Sequence, residues 1–192
     1  RLYRPSDRFM REAIEGLADR KNINVEFQNN PSFISSNAWF DEYMQGRKKP
    51  FMKTFYEAMR RKSGILMDGD EPVGGKFSYD SENRKKLPKS YTPRKGNSKK
   101  LGKIEKEVCA LVANEFSSHP GSLENLWLPT TREQALKNFR EFINSRLPEF
   151  GDYQDALHTK DTYIYHSLIA PSLNIGHLMP EEVVAEVSQA YY

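Results

Sequence analysis

The sequence predicts a mostly α-helical protein that opens with a single α/β step. Three observations predict it: seven segments with apolar residues at helical spacing, one short alternating run near the start, and a basic, turn-rich stretch separating the two helical halves. With 192 residues, 38% of them hydrophobic and 12% aromatic, the chain has enough apolar surface to build a core.

The first segment, Pro5 to Leu17, begins with Ser6-Asp7 and places Phe9, Met10, Ala13, Ile14 and Leu17 at amphipathic spacing, which predicts a helix. Asn24 to Gln28 alternates apolar and polar residues and predicts a strand. Helix followed by strand is one step of an α/β layer. Asn37 to Gln45 and Pro50 to Arg61 predict two further helices, the second with Phe51, Phe55 and Met59 on a packing face. Met67 to Gly75 is dense in turn formers, and the stretch continuing to Ser98 is rich in Lys, Arg, Pro, Ser and Asn, so 67–98 reads as a linker. From Lys103 the pattern is helical throughout: Lys103 to Phe116, Thr131 to Arg146, Tyr153 to Tyr165 and Glu181 to Tyr192. Thr131 and Pro180 supply start signals for two of these.

The formal charge of +3 is unevenly spread. Between Arg47 and Glu107 there are 18 Lys/Arg against 8 Asp/Glu, while the remainder holds 11 against 18. A basic segment of this kind suits either contact with phosphate backbones or a solvated connector. No apolar run reaches the roughly 20 residues of a membrane-spanning helix and no signal peptide is visible, so a cytoplasmic address is expected. Cys109 is the sole cysteine and sits at helical apolar spacing, which predicts a packed side chain rather than a disulfide or thiolate cage. His119, His158, His166 and His177 lack metal-ligand spacing, Gly74-Gly75 lacks the phosphate-loop pattern, and no nucleophile elbow is present. One stretch does suggest chemistry: Tyr165 to Gly176 sets hydroxyl and imidazole groups before a Pro171-initiated turn, whose backbone amides suit an anion; a plain packing turn reads the same way.

Phe51 to Arg61, Gly64 to Met67, Pro72 to Lys85, Leu147 to Ala156 and Tyr165 to Gly176 occur in an order that resembles the deoxyribodipyrimidine photolyase-related family, the iron–sulfur bacterial cryptochromes and (6-4) photolyases. The resemblance implies three regions: 1–46 as the C-terminal end of an α/β, Rossmann-like antenna domain, 47–102 as a basic helix and linker, and 103–192 as the first helices of an all-α FAD-binding domain. It implies FAD contacts at His166, Ser167, Leu168 and Ile169, by similarity of His166 to Gly176 to the Thr-Ser-x-Leu-Ser-Pro-x-Leu-x-x-Gly segment of photolyases, and at Tyr153, which matches the upstream tyrosine that commonly reaches the flavin phosphate. The sequence departs from that segment at Ala170, where Ser is usual, and at Ser172, where Tyr is usual. It further implies a ribityl-lumazine antenna and a 4Fe-4S cluster whose four cysteines would lie beyond Tyr192. UV-damaged DNA is the implied partner, with Lys85, Lys86, Lys99 and Lys100 as candidate phosphate contacts and no membrane association. The implied activity is light-dependent repair of (6-4) pyrimidine lesions, the alternative being a photosensor without repair. The chain reads as an internal piece that would be inactive on its own.

Overall fold

The first helix owes its start to Asp7, whose carboxylate accepts the Met10 N–H at 2.7 Å, and its end to Asn22, which turns left-handed at φ 52° after Arg20 and Lys21. In the computed structural model, which describes residues 1–93, 99–124 and 126–191, this helix is α1 (Arg8–Lys21). It connects two short parallel strands, β1 (Leu2–Tyr3) and β2 (Phe27–Gln28), in register Leu2↔Phe27 and Tyr3↔Gln28. The expected strand at 24–28 is thus confined to its last two residues, and a partner strand precedes the helix. Together they make one β–α–β unit.

The described chain divides into two units, Arg1–Phe77 with Met179–Tyr192, and Ser78–Leu178. In the first, α2 (Asn37–Met44), capped by Ser36, packs on α3 (Met52–Ser63). Phe55 meets Phe40 and Tyr43 edge-on at 5.6 and 5.1 Å, and the Tyr43 hydroxyl bonds Thr54 at 2.7 Å and the Phe51 carbonyl at 3.1 Å. Phe51 itself leaves the expected packing face and is 63% exposed. It occupies the extended position before the first helical turn (φ −134°, ψ 120°), so its side chain does not share the helical face of Phe55 and Met59.

The expected linker contains a hairpin, β3 (Met67–Asp68) paired antiparallel with β4 (Glu71–Pro72) around Gly69 at φ 58°. Arg60 holds it down. Its guanidinium donates to the carbonyls of Ile65 (3.2 Å), Leu66 and Phe77 (3.2 Å), and Arg61 lies 4.4 Å from the Phe77 ring centroid. A lysine has a point charge and no fork to satisfy three carbonyls at once. Arg60→Lys is expected to lower stability by about 1–3 kcal/mol, read from the midpoint of urea unfolding. Residues 94–98 of the expected linker lie outside the described residues, as does Tyr192. The last helix, α8 (Pro180–Tyr191), runs as its pattern predicts.

In the second unit, α4 (Lys103–Glu115) and α5 (Arg132–Ser145) match their predicted spans. Thr131 caps α5 by accepting the Gln134 N–H. Ala135, Phe139 and Phe142 form its buried stripe, joined in the core by Ile164 and Leu178. Phe150 of α6 (Leu147–Tyr153) meets Phe142 edge-on at 5.5 Å. The expected helix from Tyr153 to Tyr165 does not form: α6 ends at Tyr153, and residues 154–169 are turns and irregular chain. The buried Asp161 carboxylate accepts the N–H groups of Tyr163 (2.8 Å) and Ile164 (3.0 Å), and Ile164 turns left-handed at φ 43°. That local competition with the helical ladder overrides the apolar spacing. The chain then enters the short α7 (Ala170–Asn174). Cys109 is half-buried, and no helix of the described residues is long and apolar enough to cross a membrane. Mostly helical is therefore the observed class.

Candidate functional site

Tyr153, the last residue of α6, stacks on Tyr165 with ring centroids 5.2 Å apart and planes at 25°. Tyr165 meets Tyr91 edge-on at 5.8 Å, and Tyr91 in turn meets His158 at 5.4 Å. The Tyr91 hydroxyl donates to Asp161 Oδ2, so one buried carboxylate ties the irregular chain at Tyr91 to the 161–164 turn. Burial, and secondarily the Asp161 charge, push the Tyr163 phenol up, which keeps it protonated.

Beyond this turn lies the segment expected to contact a cofactor. The His166 N–H donates to the Tyr163 carbonyl at 2.8 Å. Leu168 is left-handed at φ 60° and Ile169 right-handed at φ −93°, ψ −13°. A left–right pair of this kind aims successive N–H groups into one concavity, which favours an anion. The N–H groups of Ser167, Leu168 and Ile169 have no backbone acceptor among the described residues. Ala170 and Pro171 follow at the start of α7, and the amides of His177 and Leu178 return to the buried Ser172 carbonyl at 2.8 and 3.1 Å. Arg132 of α5 fixes this return by donating to the His177 carbonyl at 2.8 Å. His177 Nδ1 is a buried polar atom with no hydrogen-bond partner among the described residues. The structure brings Tyr153 into the aromatic row and sets 166–169 as irregular chain between the turn at 164–165 and α7.

The four candidate lysines are not equivalent. Lys85 pairs with Asp152 at 2.7 Å, a bond that raises its pKa, while Lys86 and Lys100 are exposed. Lys99 points inward, only 16% exposed: its ammonium bonds Glu105 (2.7 Å), the Leu128 carbonyl (2.6 Å), Thr130 (3.2 Å) and Gln134 (3.4 Å). This cage ties the start of α4 to the start of α5. The hydrogen bonds from Lys99, Thr130 and the Gly102 amide lower the Glu105 pKa from 4.5 to about 2. Because the folded-state value is depressed, the tether's contribution is present above pH 4.5 and lost as pH falls toward about 2. Thermal melts are expected to show acid destabilisation in that window, diminished in Glu105→Gln.

Sequence reasoning did not find Tyr91, Asp161, Arg84 or Asp155, whose partners lie some 70 residues away in the chain. Nor did it find a cavity of about 470 Å³ in the first unit, beside the C-terminal ends of β1 and β2 and lined by Arg4, Arg11, Asn29, Asn30, Phe33 and Phe40 among others. Open α/β layers bind ligands at such strand ends. Its signal would have been the Asn29-Asn30 pair directly after the strand.

Residues 1–128 match the family described as deoxyribodipyrimidine photo-lyase-related protein. A (6-4) photolyase from Agrobacterium fabrum is 35% identical over 188 residues, which is 98% of this chain and 37% of that protein. An uncharacterized protein of Acanthamoeba polyphaga mimivirus is 38% identical over 88 residues, 44% of this chain and 45% of that protein. The chain thus spans less than half the length of either relative. Family match and near-complete alignment agree, and the chain belongs to the deoxyribodipyrimidine photo-lyase-related protein family.

Proposed function

We propose that this chain supplies one wall of an FAD site in a light-dependent DNA-repair photolyase acting on (6-4) pyrimidine lesions. The observation that carries the reading is the left–right backbone pair at Leu168-Ile169, with three amides that have no backbone acceptor among the described residues, in the segment that resembles the flavin-phosphate loop of photolyases. Its donor set fits a diphosphate: the amides of Ser167, Leu168 and Ile169 are available, and Ser167 and His166 sit beside them half-buried. Ala170 removes one hydroxyl donor that the family usually has there, leaving backbone donors with the larger share. When bound and photoexcited in its reduced form, the flavin supplies the electron that reverses the lesion. The chain's own residues bind and orient: Tyr153 stacks on Tyr165, the residue before the segment, and Asp161 fixes the turn that precedes it.

Regions 1–46, 47–102 and 103–192 are read as antenna-domain end, basic linker and start of the flavin domain. The cavity at the ends of β1 and β2 suits an antenna pigment of the ribityl-lumazine class. A 4Fe-4S cluster does not fit the residues present, since Cys109 offers one thiolate and the described residues contain no cluster of ligands that could hold a metal. Such a group would draw its ligands from outside this chain. UV-damaged DNA is the partner, with Lys86 and Lys100 exposed for phosphate contact; Lys85 stands in an ion pair and Lys99 in an internal cage.

The test is repair of a (6-4)-containing oligonucleotide by the intact protein under blue light. Light-dependent loss of the lesion supports the reading. A flavin that responds to light with no repair would instead identify a photosensor.

A further inference from the structure

Two stretches far apart in sequence, around Asn83 to Leu87 and Asp152 to His158, are clipped together within the Ser78–Leu178 unit. The Asp155 N–H donates to the Asn83 carbonyl (3.2 Å) and the Lys85 N–H to the Asp152 carbonyl (3.1 Å). Two ion pairs lie over these bonds, Arg84–Asp155 at 3.3 Å and Lys85–Asp152 at 2.7 Å. Asn83 is buried beneath them and donates to Asp80 at 3.1 Å. The tip of the clip carries Leu157, which is 90% exposed, the highest value of any large apolar side chain described.

Single exposed leucines are ordinary on protein surfaces. The setting of this one is not. Fixing a loop costs about 1–2 kcal/mol per residue in backbone entropy, and burying a leucine returns about 1.5–3 kcal/mol; here the loop is fixed and the leucine stays in water. Arg84, Lys85, Lys86, Asp155 and His158 line one shallow cavity with it, of about 530 Å³, and Lys89 and Lys160 are exposed close by in sequence. Asp152 and Asp155 hold Lys85 and Arg84, leaving Lys86 as the cavity's cation with no carboxylate partner among the described residues. An exposed apolar side chain beside the cation of Lys86 is complementary to duplex DNA, whose phosphates lie outside and whose base stack lies within.

We propose that Leu157 is a wedge that enters a base step of damaged DNA, with Lys86 on a flanking phosphate. The proposal rests on the DNA-repair reading above. A lesion that already weakens stacking lowers the cost of entry, so the wedge acts where repair is needed.

The experiment uses the intact protein and a lesion-bearing duplex with 2-aminopurine beside the lesion, whose fluorescence rises on unstacking. Leu157→Ser is expected to abolish most of that rise and weaken binding about tenfold, with the salt dependence and melting temperature unchanged. Lys86→Gln is expected to reduce the slope of log affinity against log salt by about one and to keep the fluorescence rise. Wild-type behaviour of Leu157→Ser in a protein that still repairs DNA overturns the wedge alone. So does a fall in its melting temperature, which would mean that the leucine packs inside the intact protein. If the wild-type protein binds no lesion duplex, the wedge and the repair reading both fail.

Discussion

Asp161→Ala is expected to abolish flavin retention by the intact protein and to lower its stability by about 3–5 kcal/mol, from the loss of three hydrogen bonds to one buried charged acceptor. Asp161 is 3% exposed and accepts from the Tyr163 amide, the Ile164 amide and the Tyr91 hydroxyl. Removing it leaves two amides without their acceptor, and it frees Ile164 from a left-handed conformation that a β-branched residue adopts only under constraint. His166 hangs from the Tyr163 carbonyl, so the segment Ser167, Leu168 and Ile169 loses its upstream anchor. Asp161→Asn separates the parts: an amide oxygen still accepts from the two backbone groups but gives the Tyr91 hydroxyl a weaker, uncharged partner. It is expected to keep more of the flavin than Asp161→Ala, measured by the flavin-to-protein absorbance ratio after gel filtration. Equal retention by all three proteins would contradict the role given to this carboxylate.

Phe139→Ala is expected to cost about 3–5 kcal/mol, the range for truncating a fully buried aromatic side chain. Phe139 has no exposed surface and sits at the centre of the Ala135, Phe139, Phe142 stripe of α5. The same helix carries Arg132, which fixes the return of the chain at His177, and Phe142, which receives Phe150 of α6. The site is thus built on this core, and chemical denaturation is expected to show a lower midpoint with little change in slope. Phe139→Leu, which fills most of the volume, is expected to recover a large part of the loss.

Most helices were legible from the sequence because an apolar stripe at 3.6-residue spacing and a Ser, Thr or Asp cap are local signals, as at Asp7, Ser36 and Thr131. The stretch 153–165 carries similar spacing and is not helical, because the decisive interaction is the Asp161 side chain on its own following amides, reinforced by Tyr91 from 70 residues away. Strands of two residues, such as β1 and the β3–β4 pair, are too short for alternation to announce, and the hairpin depends on Arg60 reaching three carbonyls. For the candidate site, Tyr153 and 166–169 were legible through family resemblance, whereas their supports Tyr91, Asp161 and Arg132 were not. Lys99 illustrates the limit for charge. Counting places it with the other basic residues, but its partners Leu128, Thr130 and Gln134 come from the following turn and helix start and draw its ammonium inward.

Amide hydrogen exchange reads the backbone N–H groups of Ser167, Leu168 and Ile169 one by one. In the intact protein prepared with and without FAD, exchange at Ser167, Leu168 and Ile169 is expected to slow markedly when the flavin is bound, because the diphosphate supplies the backbone acceptors these groups lack among the described residues. Stoichiometric FAD binding with exchange at all three positions unchanged would contradict the proposed FAD site.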